Sequence, residues 1–191
     1  MISRWISRVQ NLYGLEELQI CNTNVTSLEG IEGLKHLRQV RVAGTNIRDF
    51  SPLGQVDFTW AAENRGGVSL ALNVMNSSSL PQDAYAFLEG VPGFDQLELH
   101  NVPAKLWTDH LAGKPVKRLD ANDCDFTNES FQAFVAAHPE LEEVSLSWNH
   151  QLTDVSCLLG LENLRKVQLS PNMAQAKASL GEGYGFELQV D

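Results

Sequence analysis

The chain has 191 residues, 43% hydrophobic and 20% charged, which excludes the disordered and fibrous classes and allows one globular domain with a sizeable core. A formal net charge of -10 repels phosphate backbones and anionic lipid, so it argues against a general nucleic-acid or membrane binder and would steer in a basic partner. Cys21, Cys124 and Cys157 are odd in number and widely spaced, which fits neither a disulfide framework nor a zinc ribbon and points to a reducing compartment. No apolar run reaches signal-peptide or membrane-span length, so the expected location is the cytoplasm.

In chain order, Trp5, Val9 and Leu12 fall at helical spacing and predict an N-terminal lid within residues 1–14. A periodic region, 15–171, follows. Leu15-x-x-Leu18-x-Ile20-x-x-Thr23-x-Val25 is echoed by Leu37-x-x-Val40-x-Val42-x-x-Thr45-x-Ile47, a shift of 22 residues. The echo returns at Phe94-x-x-Leu97-x-Leu99, Val116-x-x-Leu119-x-Ala121, Leu141-x-x-Val144-x-Leu146 and Leu164-x-x-Val167-x-Leu169. Each unit puts alternating apolar residues on a short strand, and none can bury them alone. Stacking the units in parallel, about 4.8 Å apart, joins the apolar rows into one core and pairs the strand backbones.

This pattern resembles the leucine-rich-repeat consensus LxxLxLxxNxL, and Asn22-Thr23-Asn24-Val25 and residues 45–53 resemble the 22-residue class of bacterial internalins. The resemblance covers most of residues 12–171 and implies an α/β right-handed solenoid, or horseshoe, with a parallel inner sheet of about seven strands. It also implies a bacterial, non-catalytic protein-binding module that uses its concave face. At the ninth repeat position the family carries Asn, whose amide bonds the backbone of neighbouring turns. Here Thr23, Thr45, Cys124 and Asn149 occupy it, and Thr or Cys can fill only part of that role.

Ser51-Pro52-Leu53 suits a turn or 3₁₀ segment on the outer side. The spacing of apolar residues predicts α-helices over 81–88 and 128–135, which makes the later half resemble the longer ribonuclease-inhibitor repeat. The pattern fails at 57–67, where an irregular inserted loop is expected before a strand centred on Leu70 and Leu72. Residues 172–191 form a C-terminal cap in which Phe186, Leu188 and Val190 alternate as a closing strand.

A solenoid brings together only matching repeat positions, and no nucleophile, base and orienting group share them. The run Asp120–Asp125 lacks the Gly and terminal acid of a calcium loop, and Gly181–Gly185 lacks the Lys of a phosphate loop. The five histidines show no zinc spacing and read as surface residues, while Cys124 and Cys157 read as core fillers. No cofactor, metal or small-molecule substrate is implied. What the geometry offers is the inner sheet face, carrying Glu17, Gln19, Arg41, Glu98, His100, Arg118, Asp120, Asn122, Glu143, Ser145, Trp148 and Lys166. Trp148 is the prime partner-binding candidate, since an exposed Trp is the residue type most enriched at hot spots. Its alternative role is packing on His150 or the adjacent strand. The expected partner is a protein or peptide. A basic enzyme or toxin neutralised by an acidic inhibitor, and an enzyme subunit with a site at 57–67, are the two alternatives.

Overall fold

A computed structural model describes residues 12–75 and 79–191. Eight strands form one sheet in chain order: β1 Glu17–Gln19, β2 Gln39–Arg41, β3 Val68–Ala71, β4 Phe94–Glu98, β5 Val116–Asp120, β6 Glu143–Ser145, β7 Lys166–Leu169 and β8 Glu187–Val190. Every neighbouring pair is parallel. The register aligns Leu18, Val40, Leu70, Leu97, Leu119, Val144, Val167 and Leu188 in one row. That row is the fourth repeat position, and from Leu18 to Val167 all of its members are buried. The seven strands expected from the repeats are joined by the closing strand, which adds to the same sheet. Among the described residues β8 is the edge strand; Leu188 is half-buried and Val190 is exposed.

Behind the sheet the returning segments are short. Ser51–Gln55, Ala86–Gly90, Ala104–Leu106, Thr108–Leu111 and Ser156–Gly160 are 3₁₀ turns. Among the described residues, three α-helices interrupt them: α1 Thr59–Arg65, α2 Asn128–Ala137 and α3 Ala174–Ser179. Helix α2 is the one expected from its apolar spacing. Thr127 caps it by accepting from Ser130 N at 3.2 Å, while Ser130 Oγ accepts from Thr127 N at 3.0 Å. Phe131, Phe134 and Val135 are its buried face.

Two expectations are corrected here. Residues 81–88 are not an α-helix but a turn leading into the Ala86–Gly90 3₁₀ segment. That segment packs on Ser51–Gln55 so closely that a Cβ at Gly54 would lie 3.1 Å from Phe87 Cβ. An α-helix is the wider coil and would push the two turns apart. The insertion at 57–67, expected as an irregular loop, contains helix α1. Asp57 Oδ1 accepts from Thr59 N, Phe58 and Ala61 are buried, and Gly66 ends the helix at φ 76, where a Cβ is disfavoured. Arg65 reaches Glu16 at 3.3 Å and lies over Trp60, whose ring meets His36 edge-on. The insertion thus ties the third turn back to the first two.

Of the expected N-terminal lid, Trp5 and Val9 lie outside the described residues, and Leu12 is exposed. His138 corrects the surface reading of the histidines: it is buried, with Nδ1 2.7 Å from Phe134 O and its ring stacked on Phe134. Cys124 is buried as expected, but Cys157 is only half-buried.

Leu97 sits at the centre of the aligned row with no exposed surface. Leu97→Ala is expected to cost roughly 2–5 kcal/mol in urea unfolding. An unchanged transition would mean that the apolar register is misread.

Candidate functional site

The solvent-facing side of the sheet carries two polar rows fixed by the register. One runs Gln39, Ser69, Gln96, Arg118, Glu143, Lys166, Glu187; the other runs Arg41, Ala71, Glu98, Asp120, Ser145, Gln168, Gln189. Arg41 reaches across Ala71 to Glu98 at 3.2 Å, an interaction that a larger residue at 71 would block. Arg118 bonds both the carboxylate and the carbonyl of Asp95. Between β4 and β7 the side chains leave a depression of about 150 Å³ whose lining includes Gln96, Arg118, Asp120, Glu143, Lys166 and Gln168. A second hollow of about 500 Å³ lies on the returning side, between Ser51–Gln55 and residues 81–87.

Of the residues singled out from sequence, Glu17, Gln19, Arg41, Glu98, Arg118, Asp120, Glu143, Ser145 and Lys166 lie on the strands. His100, Asn122 and Trp148 lie just beyond strand ends, in the turns. A polar chain links three of the turns: His100 Nε2 is 2.9 Å from Asp120 Oδ1, which accepts from Asn122 Nδ2 at 2.5 Å, and Asn122 Oδ1 accepts from Ser145 Oγ at 2.9 Å. The serine hydroxyl is therefore bonded to an amide and His100 to a carboxylate, an order that places no base on the hydroxyl. Burial opposes charge on His100, but the hydrogen bond to Asp120 and the charges of Asp120 and Glu98 outweigh it and raise its pKa above the ordinary value.

Trp148 is 55% exposed and meets His150 edge-on at 6.1 Å between ring centres. Its backbone is in the left-handed region, φ 68, with its N–H donated to Ser170 Oγ at 2.9 Å. Asn22, Gly44, Asn101 and Asp123 occupy the same eighth repeat position and share that conformation. Those four are residue types that tolerate it, whereas Trp does so only at a cost of about 1 kcal/mol. The clustering of Asn, Gly and Asp at position eight is a turn signal that the sequence itself carries. Gln96, Gln168, Ser69 and Ala71 also line the face without having been singled out, because only the strand register reveals them.

Burial pushes the Cys124 thiol up to about 12 and the Cys157 thiol up to about 11, so both are poor nucleophiles near neutral pH. Among the described residues no group of three or more His, Cys, Asp or Glu is placed to hold a metal ion, and no helix is long and apolar enough to cross a membrane.

No protein-family model matches the sequence, and no curated protein matches it. Among solved structures, internalin C2 from Listeria monocytogenes aligns over 98% of this chain and 92% of its own, with a TM-score of 0.58 and 20% identity. The shared fold is the leucine-rich-repeat solenoid that the resemblance of the repeats implied.

A histidine whose folded pKa is raised adds stability that is fully present below its unfolded pKa, about 6.5, and is lost as pH rises through the higher folded value. His100→Gln is therefore expected to narrow the difference in unfolding free energy between about pH 6 and pH 8.5. Parallel pH curves for the two proteins would show that the His100–Asp120 contact carries no such linkage.

Proposed function

We propose that this chain is a non-catalytic protein-interaction module that holds a partner protein or peptide on the solvent-facing side of its sheet. The observation that carries this reading is Trp148, a large aromatic left exposed beside a rigid polar face. Its contact with His150 covers only part of the ring. A residue kept at a backbone angle it disfavours, contributing little to the core, is better explained by contact with another molecule than by folding. The repeat fold supports the same reading in general terms, because a stack of turns presents side chains at fixed spacing over a wide surface. Arg41, Glu98, His100, Arg118, Asp120, Asn122, Glu143, Ser145 and Lys166 supply the polar surround expected of a specific interface.

An inhibitor or immunity-type protein acting on a basic enzyme is a narrower form of this proposal, favoured by the net charge of -10. A catalytic site at 57–67 draws no support from the geometry, since Trp60 and Arg65 are engaged with His36, Glu16 and each other. The proposed location is the cytoplasm.

Pull-down from the source cell, followed by affinity measurement on the recovered partner, tests the reading. Trp148→Ala is expected to weaken that binding by about 2 kcal/mol or more while moving the melting temperature little. If the variant instead unfolds, or binds unchanged, Trp148 is not the anchor and the hollow on the returning side becomes the better surface.

A further inference from the structure

Resting on that reading, we infer that the surface around Trp148 takes a cationic segment of a protein, an arginine or lysine side chain that lies on the indole and is held by the carboxylates of Asp123 and Asp125.

Across the sheet face most ionic groups are already paired: Arg41 with Glu98, His100 with Asp120, Arg118 with Asp95, Arg38 with Glu16 and Glu17. Among the described residues, Asp123, Asp125, Glu143 and Lys166 make no side-chain hydrogen bond or ion pair. All four belong to the fifth to seventh turns, which also hold Trp148. Lys117 on β5 makes none either, and Glu143 is flanked by Arg118 and Lys166, so the unpaired charge nearest Trp148 is that of Asp123 and Asp125.

Their placement is set by the stack. Asp123 shares the eighth repeat position with Trp148 one turn earlier, and its N–H bonds Ser147 O at 2.9 Å. Adjacent turns in such a stack lie about 4.8 Å apart, so the backbone positions of Asp123 and Trp148 are neighbours in the stack. Asp125, two residues further along the same turn, is exposed, as is Asp123. Glu143 stands at the start of β6, five residues before Trp148, and lines the depression. An indole face within about 6 Å attracts a guanidinium or ammonium, and more so when the cation is partly withdrawn from water. Carboxylates at its rim favour a cation and reject an anion, which gives the surface both a preference and an exclusion. A neutral or acidic ligand would gain only the ring.

The test uses the whole chain and a random-peptide phage library as the probe. Selection on the native protein, followed by rebinding to Trp148→Asn and to the double variant Asp123→Asn/Asp125→Asn, separates the claims. Asparagine is a safe replacement, since Asn22 and Asn101 hold the same left-handed position at φ 54 and 57. The expected result is a set of peptides rich in Arg or Lys. Their affinity should fall about tenfold or more on Trp148→Asn and on the double variant, and the double variant's loss should shrink at high salt. Selected peptides without basic residues, or bound equally well by the double variant, would overturn the cationic assignment while leaving the face as the binding surface. A selection whose products all bind Trp148→Asn as they bind the native chain would overturn both readings.

Discussion

The side chain of Asn149 ties two turns of the stack together. Its Oδ1 accepts from Cys124 N at 3.0 Å and Phe126 N at 3.2 Å, and its Nδ2 donates to Ala121 O at 2.8 Å and Leu146 O at 2.7 Å. All of this is buried. Leaving the strand, each turn bends away from the sheet and exposes backbone groups that no strand partner can meet, and buried groups of that kind must find bonds elsewhere. The amide satisfies two turns at once and so fixes how the sixth turn sits on the fifth. Thr23 and Thr45 at the equivalent position each donate to one carbonyl at 2.7 Å, closing their own turn only. Cys124 Sγ reaches back to Leu99 O at 2.9 Å, a weaker link of the same direction. The stack is thus tied most firmly in its later half, where the unpaired charges and Trp148 also lie.

A scaffold of this kind separates stability from recognition. The residues that hold it together point inward or along the turn-to-turn direction, whereas the side chains on the strands' outer face contribute little to the core. Those outer positions are free to vary with function, and the strand spacing decides which of them stand side by side. Trp148 shows the separation most sharply, because position eight demands a left-handed backbone and nothing in the core demands an indole there. His100 shows the opposite case, a polar group drawn into a chain of hydrogen bonds that couples three turns.

How much of this could be read from the chain follows from what repeats. The apolar positions recur at fixed offsets, so the strands, their parallel order and burial of Leu97, Leu119 and Val144 were legible. So was helix α2, whose apolar spacing and Thr127 cap are local signals. Residues 81–88 misled because apolar residues three and four apart suit an α-helix and a 3₁₀ turn alike, and the choice rests on the neighbouring turn at Gly54. The helix at 57–67 was hidden because its anchors, Glu16 and His36, lie far back in sequence. For the candidate site the alternation of strands located the face, but which charges are paired depends on reach across strands: Arg41 passes over Ala71 to find Glu98.

Bonds between the turns lock the stack, with Asn149 as the principal tie. Equilibrium urea unfolding of Asn149→Ala measures this directly. Deleting the amide leaves the buried N–H groups of Cys124 and Phe126 without acceptors, and the predicted loss is about 2–4 kcal/mol with an unchanged denaturant slope. A loss below about 0.5 kcal/mol would contradict it, and would show that apolar stacking alone sets the register of the turns.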